Sequence, residues 1–183
     1  MKRKFRYSKD YEIHERESSR PGKYKKEIVY TGEYYTFNLS AKEKLRFQWI
    51  STVVYAFLSV VFGAIGVLNN DGSRMFYVVM PYVFLFLPLF YGWMGIFRLF
   101  TLNQPMTRIE CDHSVERMKK STLGILVMSI TSGLGEIIYL FTHKNIENVR
   151  KEIFFLSGIL FLTFSSLLVF QVQKKIVVKK ENK

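Results

Sequence analysis

Among the residues that could do chemistry, one carboxylate is set apart by its surroundings. Glu136 is the only charged residue in 121–142, an otherwise apolar run. Thr122, Ser129, Glu136 and His143 recur every seven residues, with Leu126, Gly133 and Leu140 between them. Seven residues are two helical turns, so these side chains share one face. Holding a carboxylate in lipid costs on the order of 2.5–3.5 kcal/mol on insertion scales, which predicts that Glu136 faces other helices or a wet cavity. Two readings stay open: an acid that carries a proton or contacts a solute, or a protonated acid hydrogen-bonded to a neighbouring helix. Ser129 and Gly133, four apart, would let that neighbour come close.

A second face lies in 75–97. Tyr77, Phe84, Tyr91 and Arg98 are spaced by seven, with Pro81, Pro88 and Gly95 at the complementary positions. Each proline lacks an amide donor and frees a carbonyl one turn back, at Tyr77 and Phe84, so both positions are expected kinks. Counted along antiparallel helices, the level of Glu136 falls near Tyr82 and Pro81, near Ser59 and Gly63, and near 157–161. The expected intramembrane polar site is therefore Glu136 with Tyr82, Tyr77, Ser129, Ser59 and His143. It is either a pocket opening outward or close packing around small residues and prolines. Arg98 lies at the opposite end of its helix, too far to pair with Glu136, and is expected to snorkel to headgroups.

Other chemistries find no support. Glu110-Cys111-Asp112-His113 puts four ligand types in a row, but consecutive residues rarely converge on one ion. They read as a helix cap, with Asp112 or Ser114 capping a helix that starts near Val115. His14, His113 and His143 all lie outside the apolar runs or at their rims, where they cannot ligate haem inside a bundle. A single cysteine, Cys111, excludes an internal disulfide. There is no nucleophile elbow, zinc-protease helix or phosphate-cradling loop. No enzyme activity, cofactor or metal is expected.

The elements that must position these residues are four apolar stretches, 47–68, 75–97, 121–142 and 153–173. Each holds the roughly 20 residues a helix needs to cross a hydrocarbon core about 30 Å thick. The fold class is thus an all-α integral membrane protein, a four-helix transmembrane bundle spanning 41–173. A net charge of +12 would suggest nucleic acid in a soluble chain, but here the basic residues crowd beside apolar spans. Lys and Arg number 22 on the side of both termini against 4 on the other, which predicts cytoplasmic termini in a cell membrane. No secretory signal is expected, because the first apolar run begins at Phe47.

Residues 1–40 read as a cytoplasmic arm: 1–26 mobile or ordered only against a partner, with a breaker at Ser18–Gly22, then a β-hairpin over 27–38 turning at Thr31-Gly32. Strand-like pieces at 106–111 and 175–179 predict a small sheet beneath the membrane, and 174–183 a basic tail. Ser40-Ala41-Lys42-Glu43 has capping-box spacing and predicts a helix start at Ala41. Asn69-Asn70-Asp71-Gly72-Ser73 reads as a tight outer turn.

Function follows only in outline. The leading expectation is a non-enzymatic accessory or assembly subunit of a larger membrane complex. The alternative is a small oligomeric transporter or channel using Glu136 as a proton- or solute-binding acid. Its expected partners are the lipid bilayer and another membrane protein or itself, without nucleic acid.

Overall fold

The computed structural model describes residues 7–17, 24–102, 105–143, 148–174 and 178–181. Four helices dominate: α1 Ala41–Gly66, α2 Phe76–Thr101, α3 Arg108–Thr142 and α4 Val149–Lys174. All are long and apolar enough to cross a membrane. They run up and down in chain order. Strand β3, which precedes α1, pairs with strand β4, which follows α4, so one end of the bundle carries a sheet. The other end, called the loop end below, carries the α1–α2 connection and the end of α3.

Local chemistry sets the helix ends. Ser40 Oγ accepts the Glu43 amide at 3.3 Å while the Glu43 carboxylate accepts the Ser40 amide at 2.8 Å, the reciprocal box its spacing predicted. At α3 the expected cap is corrected. Thr107, not Asp112 or Ser114, is the N-cap, again reciprocally with the residue three on, Glu110. Asp112 and Ser114 lie in a wide π turn, Asp112–Glu116, inside the helix. The helix therefore starts a full two turns earlier, and 106–111 is a strand only at Met106, which bridges Tyr35.

The two prolines break α2 between them. Phe76–Phe84 and Phe86–Thr101 are separate helical segments joined at Leu85, whose amide reaches back to Tyr82 at 3.0 Å. The face turned inward differs from the expected aromatic seam. Tyr77, Phe84 and Tyr91 are each more than two-fifths exposed, while Val78, Tyr82, Leu85 and Leu89 are buried. The proline side of that seam does meet α3: Gly124 packs on Pro88, and Ser121 Oγ donates to the Pro88 carbonyl.

The expected hairpin over 27–38 does not form. Both of its arms are strands, β2 Tyr24–Tyr30 and β3 Tyr34–Phe37, but each pairs elsewhere. The amides of Thr31 and Gly32 donate to the Asp10 carbonyl at 2.9 and 3.2 Å, which turns the chain through a corner. β2 instead pairs antiparallel with β1 Tyr11–Glu17, a strand within the arm read as mobile. β3 pairs with β4 Val178–Glu181 and, through Tyr35, with Met106. That joins the three segments expected to share a small sheet. The Ser18–Gly22 breaker, 144–147 and 175–177 lie outside the described residues.

Small residues let the helices close. Ser129 accepts Thr163 Oγ1 of α4 at 3.0 Å, and Gly133 faces Ile159. Gly92 of α2 receives the Tyr55 ring of α1. Outward, an apolar belt that includes Val53, Phe57, Phe86, Phe90, Phe154 and Phe164 stays more than half exposed, as suits a lipid solvent.

Candidate functional site

Glu136 projects from α3 on the face that also carries Thr122, Ser129 and Ser132, and all four are wholly buried. What surrounds it is unusual. Neither carboxyl oxygen has a hydrogen-bond donor among the described residues. Gly72 of the α1–α2 connection lies against the carboxyl group so closely that a Cβ there would strike it. The group it faces is a second carboxyl, Glu152 of α4, in hydrogen-bonding reach once one of the two carries a proton.

Glu152 is equally buried but fully served. It accepts Asn70 Nδ2 at 2.6 Å, the Asp71 amide at 2.7 Å and the Gly72 amide at 3.3 Å. One carboxylate therefore pins the connection over the loop end of the bundle. Lys151 helps from outside, donating to the Asn69 carbonyl at 3.2 Å. Within the connection Arg74 pairs with Asp71 at 3.5 Å. Asn70 is oriented by its bond to Glu152, because only its amide nitrogen can donate. Its carbonyl oxygen is left buried without a donor among the described residues. Tyr139, on α3, closes the wall and stacks on His143 with ring centroids 4.5 Å apart.

The donors thus converge on Glu152 and leave Glu136 with none. Two adjacent carboxyl groups out of water cannot both ionise without large repulsion. A single shared proton would satisfy this geometry, with Glu136 donating through it to Glu152, whose oxygens already accept the loop amides. A pair of carboxyl groups in this arrangement can hold one proton between them.

The structure separates the residues expected to share this site. Tyr82 donates to the Phe62 carbonyl and stacks on Phe62 at 4.9 Å. Ser59 accepts Trp93 Nε1 at 3.0 Å and donates to Tyr55 at 2.8 Å. Ser129 bonds Thr163 and its own helix. Each of these is satisfied locally, away from the acid pair. Tyr77 contributes backbone instead: its carbonyl, freed by Pro81, lies against Gly135. His143 sits at the exposed rim.

The expected level of Glu136 is also corrected. Its helical neighbours Gly135 and Ser132 meet Tyr77 and Val78, so Glu136 lies at least a turn closer to the loop end than Tyr82 and Pro81. On α4 it meets Glu152 rather than 157–161. The turn at Gly72 folds inward and fills the space that a straight count assigns to helix. Glu152, Asn70 and Gly72 were missed for that reason. Glu152 is the residue just before the apolar run 153–173, behind Arg150 and Lys151, and reads as loop. The available signal was a lone acid at the start of one span and a lone acid near the end of its antiparallel neighbour.

No family model, curated protein or solved structure matches the chain.

Proposed function

We propose that this is a multi-pass membrane protein in which Glu136 and Glu152 bind one proton and pass it to and from the loop end, as the intramembrane acid of a small transporter or channel. One observation carries the reading: a wholly buried carboxyl without a donor among the described residues, set against a second carboxyl that holds the overlying loop. Buried acids in a bilayer are costly and commonly lie on proton or solute pathways. In this reading the conducting unit is an assembly of several copies of the four-helix bundle. The excess of Lys and Arg on the side of the termini supports cytoplasmic termini, with the acid pair toward the other side of a cell membrane.

The test is pH-gradient-driven flux in proteoliposomes. Glu136→Gln should abolish the pH-dependent component, and unchanged flux in that variant would remove the assigned role.

The accessory-subunit reading draws on a different observation. On the β1–β2 ribbon the cross-strand pair Ile13 and Ile28 are each about two-thirds exposed, and Tyr24 further along β2 is exposed too. A lone two-stranded ribbon is marginal in water and gains from being covered. In-membrane cross-linking from this ribbon should recover one dominant partner protein, lost in the Ile13→Lys, Ile28→Lys double variant. A uniform, partner-free pattern would discard this reading.

A further inference from the structure

At the sheet end a separate cleft of about 600 Å³ opens outward between α2 and α3. Met94, Phe97, Arg98 and Thr101 line it from α2, and His113 and Arg117 from α3. The two sets fall on single faces, since they are spaced by three or four residues. The Arg117 guanidinium lies over the Tyr91 ring, 4.6 Å from its centroid. A guanidinium held over a ring still presents N–H groups away from it, and these can take two oxygens of one phosphate. Arg98 approaches Glu110 at 3.6 Å, longer than a hydrogen bond, and is about half exposed. The other oxygen of Glu110 already accepts the amide and hydroxyl of Thr107. Two arginines and a histidine thus line the cleft, and Glu110 is the carboxylate that Arg98 approaches.

Depth adds a second constraint. Arg98 directly follows the apolar run 75–97, and Arg117 precedes the run 121–142 by one turn. Cations therefore stand at the boundary of the apolar belt, and the exposed side chains of Met94 and Phe97 begin the belt below them. That order, cation then hydrocarbon, mirrors a phospholipid: phosphate at the boundary, acyl chain beneath. A zwitterionic headgroup would bring its own cation toward two arginines.

We propose that this α2–α3 cleft binds the phosphate of an anionic phospholipid, with Arg98 and Arg117 on the phosphate and Met94 and Phe97 on the adjoining chain. The site is independent of the acid pair at the other end of the bundle.

The experiment follows thermal unfolding of the full-length protein in neutral-detergent micelles. Phosphatidylglycerol, phosphatidylcholine or inorganic phosphate is added in separate arms. Phosphatidylglycerol should raise the unfolding temperature saturably. Arg117→Ala should raise its half-maximal concentration at least tenfold, with Arg117→Lys between the two. Arg98→Gln provides a second reading should Arg117→Ala unfold without lipid. Equal stabilisation by phosphatidylcholine, or unshifted titrations in both arginine variants, would overturn the proposal. An equal effect of inorganic phosphate alone would also overturn it, by assigning the cleft to a soluble anion.

Discussion

Glu152→Gln and Glu136→Gln make the same one-atom change on facing side chains, and the geometry predicts very different costs. The Glu152 carboxylate accepts three donors from the loop, two of them at 2.6 and 2.7 Å. A hydrogen bond to a charged group is worth about 1.5–3 kcal/mol and a neutral one about 0.5–1.5, so neutralising the acceptor forfeits about 1 kcal/mol per donor. The new amide nitrogen also turns a donor toward donors, which costs about 1–3 kcal/mol for the group left unpaired. Relief of the neighbouring carboxyl offsets part of this. The net expectation is a loss of about 2–4 kcal/mol for Glu152→Gln, where 2.8 kcal/mol is about a hundredfold change in equilibrium. Glu136→Gln replaces a group that accepts no donor from the described residues with an amide that can donate to Glu152 as the protonated acid does. Its cost should stay within about 1 kcal/mol of zero. Denaturant titration in mixed micelles measures both, and hydrogen exchange of the peptide 69–75 reports whether the loop has lifted. Equal losses in the two variants, or a larger loss for Glu136→Gln, would refute the assignment of Glu152 as the anion.

Other outcomes follow from the same contacts. Gly135→Ala would set its Cβ 2.8 Å from the Tyr77 carbonyl, a backbone atom with little room to yield, and should cost about 1–3 kcal/mol. Gly63→Ala meets open space and should be neutral, or stabilising by up to about 1 kcal/mol, which makes it the matched control. Gly72→Ala should destabilise by pressing on the Glu136 carboxyl, and truncating Glu136 to Ala in the same chain should recover part of the loss. Tyr55→Phe removes a buried hydroxyl bonded to Thr122 at 2.7 Å, while Thr122 keeps its own bond to Met118. Its cost should be about 0.5–1.5 kcal/mol by thermal unfolding.

Hydropathy made the four helices legible, because bilayer-length apolar runs leave few alternatives. The seven-residue spacing of Thr122, Ser129 and Glu136 identified the buried face of α3 equally directly. What failed was pairing between segments distant in sequence. The arms beside Thr31-Gly32 have strand composition, but composition does not say that β2 prefers β1 or that β3 prefers β4. Strand β1 itself was hidden because its alternation runs through charged residues. On α2 the aromatic spacing drew attention to a face that is largely exposed, whereas the buried one is built from Val78, Tyr82, Leu85 and Leu89. Half of the acid pair was visible as Glu136. Its partner was not, because a window ending at the last apolar residue discards the charge beside it, and Glu152 stands at that edge.

The central claim, that Glu136 and Glu152 share one proton inside the bundle, is tested most directly by infrared difference spectroscopy of the protein in lipid. Native protein at neutral pH should show the carbonyl stretch of a protonated carboxylic acid, and Glu136→Gln should lack it. A spectrum with no such band, or a band that persists unchanged in Glu136→Gln, would contradict the account.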